Sequence, residues 1–588
     1  MLQKLRPLVP YLKRYKIRLL WGGLAGVCSN VAWIFFPQVI RAAIDAMTSH
    51  LNGRVILKFA LLLILVATLR SVFLFLTRWI IIGVSREIEF DLRNDMFRQL
   101  EKQPASYFQK NRTGDIMARM TNDLSAVRML LGPAIMYSAN TVLYSIGAVY
   151  FLLRISPRLT LFALAPLPLA SILVQTMGRK IHERFERIQA MFSDISAQAQ
   201  ENFSGARLIR AFAQEEAQAK AFERSNREYI RRSLRLVQLM GMLWPTLEFI
   251  LGIAVAIALL VGGHEVIQHQ ISIGDFVAFL TYMFMLTWPI IALGWVVNLI
   301  ERGTASTVRV HELLTAKPAI DESHAKPELT GVRLEGEIRF NNLSFAYDDG
   351  PTVLHNINLT IPAGSSLAIV GPTGSGKTTL VSLIPRVYET NDNEANGGSL
   401  LIDENPVEDY DFETLRSQIG FVPQESFLFS TTIAENISLG APHATREQIL
   451  AAAEIAHIRT EFEQFPQGFE TMVGERGITL SGGQKQRASL ARAILRHPRI
   501  LILDDALASV DTQTEEQILT QLSQVMEGRT TILISHRVST VRHADRIVVL
   551  AQGKIVEYGT HEELMARNGY YADLHQKQQL EEELTVAQ

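Results

Sequence analysis

The sequence predicts a multidomain protein: a six-helix α transmembrane domain with long cytoplasmic helical extensions, followed by an α/β P-loop domain. Three observations carry this expectation. Six apolar segments, each close to the roughly 20 residues a bilayer-spanning helix needs, recur in the first half. In the second half a glycine-rich loop, Gly371–Thr378, directly follows the apolar run Ser366–Val370. Charge divides the same way: up to Thr330 there are 37 Lys+Arg against 24 Asp+Glu, a net of +13, leaving 20 basic and 35 acidic residues, a net of −15. Two differently solvated objects share one chain.

The spans fall at Leu19–Ile44, Val55–Ile82, Leu131–Leu153, Leu159–Met177, Leu239–Val266 and Ile273–Leu299. Lys4, Arg6, Lys13, Arg14, Lys16 and Arg18 precede the first, while the Gly262–Gly274 connection has no Lys or Arg. The positive-inside rule then puts both termini in the cytoplasm. The basic N-terminus leads into an apolar segment too long for a signal-peptide core, so no cleavable signal is expected. The single cysteine, Cys28, lies in an apolar stretch and reads as packing rather than redox chemistry. Buried ions are costly in a bilayer, so Arg41, Asp45, Arg70, Arg78 and Glu248 are either paired or turned to a cavity. Mutual pairing or snorkelling is expected for Arg41, Asp45 and Arg78. Glu248, if it faces a cavity, favours cationic amphiphiles.

Between spans two and three, and again between four and five, residues 86–128 and 179–235 are polar, charged and helical in pattern. They read as helices continuing into the cytoplasm. The stretches Tyr107–Asp115, with Arg119 and Asp123, and Glu201–Phe212 are candidates to end helical hairpins and dock on another domain. Residues 314–332 hold prolines and charges without an apolar period and read as a linker. The expected division is 1–313, 314–332 and 333–588.

From Leu334 short apolar strands alternate with helices: Ile338–Phe340, Ser366–Val370, Ser399–Ile402, Gly420–Val422, Ile500–Leu503, Thr531–Ser535 and Arg546–Leu550. This pattern predicts an α/β domain with a largely parallel sheet, whose ligands sit at the carboxyl ends of the strands. Gly371, Pro372, Thr373, Gly374, Ser375, Gly376, Lys377 and Thr378, with Thr379 behind them, form the phosphate cradle. The glycines let backbone N–H groups approach an anion, Lys377 reaches β- and γ-phosphates, and the Thr378 hydroxyl can hold Mg²⁺. The domain is therefore expected to bind a nucleotide. Asp504 ends a buried strand and can hold the same ion; Gln424 can complete the metal shell or position water. His536 ends another strand, within reach of a γ-phosphate. Tyr347 can stack on a purine.

Leu480-Ser-Gly-Gly-Gln484, followed by Lys485–Arg492, resembles the signature of ATP-binding-cassette proteins. The order of motifs matches that family: Tyr347, Gly371–Thr378, Gln424, Leu480–Gln484, Asp504, Ser509–Asp511 and His536. Six spans before such a cassette resemble an exporter half-transporter, over essentially the whole chain. The resemblance implies ATP and Mg²⁺ as ligands, a lipid bilayer as surroundings, a small amphipathic substrate and no nucleic acid. It implies that the two cytoplasmic hairpins end in coupling helices sensed by Gly474–Gly477. It also implies that Ser481, Gly482, Gly483 and Gln484 cap ATP held by another cassette, so that a second half-transporter is required.

One position departs from the family pattern. Where the family has a glutamate after the metal aspartate, the base that orients the attacking water, this chain has Asp505. Aspartate is one methylene shorter, and a base must reach within about 2.6–3.2 Å of its proton. Members with this change pair with a different chain that supplies the glutamate. The expectation is a subunit of a heterodimeric exporter of drugs, lipids or lipopeptides, in a bacterial inner membrane, with catalytic roles at Asp505, His536 and Gln424. The alternatives are a homodimeric flippase or multidrug exporter in which Asp505 still works, or a regulator or channel switched by ATP.

Overall fold

A computed structural model of the chain describes residues 2–49, 53–347, 350–389, 397–474, 477 and 479–586. They separate into two compact units: Met1–Glu101 with Arg112–Ala316, and Lys102–Asn111 with Lys317–Gln588.

The first unit is helical because each apolar segment would strand its backbone N–H and C=O groups in lipid unless they paired along the helix. Among the described residues six helices are long and apolar enough to cross a membrane: Lys16–Thr48, Gly53–Glu101, Thr113–Ile155, Pro157–Ser204, Glu215–Ile267 and Ile273–Leu314. At 1.5 Å per residue the 49-residue second helix runs about 73 Å, more than twice the roughly 30 Å of bilayer hydrocarbon. The helices thus continue past the lipid, as residues 86–128 and 179–235 predict. Their breaks have local causes. Ser156 caps the N-terminus opened by Pro157, accepting from the Leu159 N–H, and Ser272 forms a capping box with Asp275 before the sixth helix.

The intramembrane charges sort as electrostatics demands. Arg41 sits 2.8 Å from Asp275 and 3.9 Å from Asp45, so the expected pairing holds and gains a partner that periodicity alone does not flag. Asp45 also accepts from the Gly274 N–H at 3.0 Å, which ties the end of the first helix to the start of the sixth. Arg70 stacks over Trp33, 3.4 Å from the ring centroid. Arg78 and Glu248 are exposed and make no ion pair among the described residues.

Two of the hairpin residues lie elsewhere than expected. Asp123 accepts from Arg309 and Ser306 of the sixth helix, and Arg119 pairs with Glu312 at 3.4 Å. These charges clamp neighbouring helices of the first unit to each other. Of the first hairpin, only Lys102–Asn111 groups with the second unit.

The second unit holds two sheets. In the larger the order is β10-β9-β3-β8-β7-β6, with β3 (Ser366–Val370), β6 (Ile419–Val422), β7 (Ile500–Asp504), β8 (Thr530–Ile534), β9 (Arg546–Ala551) and β10 (Lys554–Gly559). All neighbours are parallel except β9 and β10. The smaller, antiparallel, is β2-β1-β4-β5, made of β1 (Ile338–Ala346), β2 (Thr352–Ile361), β4 (Gly397–Ile402) and β5 (Asn405–Pro406). Ile338–Phe340 and Ser399–Ile402 therefore leave the expected parallel sheet and pair with each other, Ile338 opposite Ile402 and Phe340 opposite Leu400. The reason is one-sided burial. Ile338 and Phe340 are buried while Arg339 between them is not, whereas Leu501, Ile502 and Leu503 are all buried, as two covered faces require. Strand β2 escaped notice because Asn356, at φ +50°, interrupts its alternation. Residues of both sheets and the helix Lys377–Leu383 share one core.

Two glycine substitutions should move stability in opposite directions. A Cβ at Gly274 would lie 2.5 Å from both the Arg41 carbonyl and Asp45 Oδ1, whereas one at Gly263 meets nothing within 4 Å. Gly274→Ala should cost about 1–3 kcal/mol through overpacking. Gly263→Ala, in the last turns of the helix Glu215–Ile267, should be neutral or stabilising by up to about 1 kcal/mol. Thermal unfolding in detergent reads both.

Candidate nucleotide site

The phosphate loop leaves β3 at its carboxyl end, where β8 and β9 flank it. Gly371 (φ +151°) passes so close to β9 that a Cβ would stand 2.0 Å from the Leu550 carbonyl. Only glycine fits. The loop closes on Gly376 (φ +97°), next to Leu354 of β2. Lys377 is 6% exposed, and its Nζ donates to the carbonyls of Gly371 and Pro372, both at 2.9 Å. Burial pulls this ammonium below its ordinary range, against the pull of Asp505 and Asp504.

Asp504 ends β7 at 1% exposure. Burial raises its carboxyl above the usual range and the charge of Asp505 adds to this, while the Thr378 hydroxyl opposes it. Asp504 Oδ2 and Ser375 Oγ are buried and have no hydrogen-bond partner among the described residues. Unsatisfied buried oxygens beside a lysine are what a site built for a metal-bound polyphosphate presents to the solvent-free side. The hydroxyl of Thr378, the amide of Gln424 and the carboxylate of Asp504 form a hard-oxygen donor set suited to Mg²⁺.

These groups line one cavity of about 270 Å³: Thr373 to Thr379, Gln424, Asp504, Asp505 and His536, with Val353 and Ile534. That is at the small end for a ligand pocket, sized for phosphates rather than a whole nucleotide. Tyr347 lies outside its lining. Its hydroxyl sits 2.8 Å from Thr379 Oγ1, and its ring meets Tyr388 edge-on at 4.9 Å. The Tyr388 hydroxyl in turn accepts from Gln109 Nε2 at 2.8 Å. Gln109 lies in the stretch Tyr107–Asp115 that the sequence singles out, whereas Tyr388 belongs to none of the motifs.

Asp505 takes the left-handed backbone region at φ +51°, which aspartate tolerates better than most residues. Its N–H donates to Ile534 O at 2.9 Å. Gln486 links this turn to the next loop, accepting from the Ser509 N–H at 2.9 Å.

The signature residues lie elsewhere. Ser481, Gly482, Gly483 and Gln484 are absent from the cavity lining and open the helix Gly482–Leu495. Ser481 and Gln484 form a reciprocal capping box, and Gln484 Nε2 also donates to Glu461 at 3.1 Å. Gly483 packs against the Ser509 carbonyl, 3.0 Å from where a Cβ would sit. Of the loop Gly474–Gly477, Glu475 and Arg476 lie outside the described residues.

Residues 19–290 match the family model of the ABC transporter transmembrane region and residues 354–508 that of the ABC transporter cassette. The chain is 35% identical to the multidrug resistance-like ATP-binding protein MdlA of Escherichia coli, over 94% of this chain and 92% of that one. It is 36% identical to the ATP-dependent lipid A-core flippase of Syntrophus aciditrophicus, over 97% and 93%. A solved bacterial Atm1-family ABC exporter with ATP bound superposes with a TM-score of 0.76 at 28% identity, covering 96% of this chain and 98% of that one.

Replacing Lys377 by Ala removes charge-assisted contacts worth roughly 1.5–3 kcal/mol. Binding of a fluorescent ATP analogue should weaken about 10- to 100-fold. Unchanged affinity would refute the assignment of this loop.

Proposed function

The chain belongs to the ATP-binding-cassette transporters, and from that membership we propose that it is one subunit of a heterodimeric exporter of amphipathic drugs, lipids or lipopeptides. It is an integral membrane protein and an ATP-hydrolysing transporter of the exporter type, whose fold works as a dimer. One observation carries the finer reading, the pairing of Asp505 with an intact signature at Ser481, Gly482, Gly483 and Gln484.

In this reading Lys377 and the loop amides hold the β- and γ-phosphates, Tyr347 stacks on the purine, and Thr378, Gln424 and Asp504 hold Mg²⁺. Mg²⁺ supplies charge neutralisation across the phosphates. His536 contacts the γ-phosphate. Asp505 orients the attacking water poorly, because its carboxylate is set one methylene back from where a glutamate would carry it. ATP is retained at this loop and turned over slowly. The signature helix caps the partner's loop, where a glutamate completes a fast site. Closing the two cassettes drives the coupling segments and turns the spans outward, and hydrolysis resets them.

A second chain is further supported by the tip of the second hairpin, where Phe203, Leu208 and Phe212 are 80%, 64% and 68% exposed. Clustered exposed apolar residues mark a docking surface. The basic N-terminal residues support cytoplasmic termini, in the inner membrane of a bacterium. The printed functions of the relatives, multidrug resistance and lipid flipping, support the substrate class. A homodimer in which Asp505 serves as the base is favoured by one fact, that Asp505 does line the phosphate cavity.

Two substitutions separate these readings in the purified complex. Gly483→Asp sets a carboxylate where the signature meets phosphate and should cut ATPase activity by about 10² or more, equivalent to about 2.7 kcal/mol. Asp505→Asn should change it by less than about threefold, since little turnover depends on it. A loss of about 10² from Asp505→Asn would establish the homodimer instead.

A further inference from the structure

His536 stands in the wall of the phosphate cavity, yet its imidazole hydrogen-bonds to none of the described residues. Something else must hold it in place. The ring is exposed, but the backbone that carries it is clamped from outside the site. Beyond β8, the Ser535 hydroxyl accepts from the Arg537 N–H at 3.0 Å. The Arg537 guanidinium bridges to Glu515, a carboxylate only 2% exposed, and to the Val510 carbonyl at 3.2 Å. The remaining groups are met by one side chain. Gln578 Oε1 accepts from the Val538 N–H at 2.8 Å, and Gln578 Nε2 donates to the His536 carbonyl.

This two-way contact has a definite physical meaning. Val538 begins the short helix Val538–Val541, and its N-cap residue Arg537 supplies no side-chain cap. The orphan donor of that turn is satisfied instead by an amide from 40 residues further along. The same amide bonds the carbonyl of residue 536 and the N–H of residue 538, as a neighbouring β-strand would. It fixes the two peptide units on either side of Arg537, and hence the direction of the His536 side chain.

Gln578 is itself firmly placed. It lies on the C-terminal helix Tyr570–Val586, whose first turn is anchored by Glu557 accepting from the Tyr570 and Tyr571 N–H groups at 2.5 and 3.2 Å. Tyr571 is fully buried in a cluster with Val538, Val541, Val370 and Val549. The Tyr571 hydroxyl meets His561 Nδ1 at 2.8 Å.

We propose that Gln578 is a positioning residue for His536: the C-terminal helix, through this one amide, sets where the imidazole stands relative to bound nucleotide. The proposal rests on His536 contacting the γ-phosphate as read above. It assigns a role in the nucleotide cycle to a helix that carries no nucleotide motif.

The test uses the full-length chain in lipid nanodiscs, together with whatever subunit copurifies. Without nucleotide, deuterium uptake over residues 535–541 should be about tenfold faster in Gln578→Leu, because the Val538 N–H loses its acceptor. Gln579→Ala, an exposed neighbour on the same helix, should leave uptake unchanged. Release of prebound labelled ATP should quicken about tenfold in Gln578→Leu and in His536→Ala, and no further in the double variant, as two residues acting through one contact require. If the leucine variant does not assemble, Gln578→Glu serves: it keeps the acceptor for Val538 but loses the donor to His536, so ATP release quickens while uptake stays low. Unchanged uptake in Gln578→Leu overturns the clamp. Additive acceleration in the double variant, about a hundredfold, shows that Gln578 acts on something other than His536 and overturns the positioning role. Unchanged release in His536→Ala, with uptake raised in Gln578→Leu, overturns the reading of His536 and the positioning role with it.

Discussion

Much of this chain follows from two opposite charges placed in one dry pocket. Lys377 and Asp504 are each withdrawn from water at the ends of adjoining elements, and burial presses both toward neutrality. Such a pair is costly unless something else enters to satisfy it. The parallel strands β3, β7 and β8 deliver Lys377, Asp504 and the approach to His536 to the same edge of the sheet, so one incoming polyphosphate with its cation can meet them all. Gly371 makes the approach possible by letting the loop lie against β9 at a distance no side chain would permit.

A site built this way is open on one side. Ser481 to Gln484 are committed within their own chain to opening a helix and do not line the cavity. Their geometry is rigid: a capping box, the bond from Gln484 to Glu461, and the packing of Gly483 on Ser509. A preformed cap with no local target and a preformed cradle with no local lid are complementary in chemistry.

Around the cradle, parts remote in sequence are linked by short polar bonds. Gln486 joins the Asp505 turn to Ser509, and Arg537 joins the loop after His536 to Glu515. On the other side Tyr347 leans on Tyr388, which receives a bond from Gln109 in the segment between the second and third long helices. The bonds at Gln486 and Glu515 are part-buried, so breaking either leaves an unsatisfied polar group and the turns they join are held stiffly.

By itself the sequence determined the features that are local or periodic. The six spans were legible because hydrocarbon admits only long apolar helices, and the strands β3, β7 and β9 because strands buried on both faces are continuous apolar runs. The phosphate loop was legible because its spacing is imposed by the shape of a phosphate, Asp504, Gln424 and His536 because each follows or ends an apolar strand, and Leu480–Gln484 by its resemblance to a family signature. The Arg41–Asp45 pairing followed from one helical turn of separation. Tertiary structure alone decided the rest. It sent Ile338–Phe340 and Ser399–Ile402 into an antiparallel sheet, since partner choice depends on which face finds a cover, and it hid β2 behind the turn at Asn356. It brought Asp275 to Arg41, Arg309 to Asp123, Tyr388 to Tyr347 and Gln578 to His536. Contacts across such separations leave no period in the chain, because they are set by where whole elements pack and not by the residues beside them.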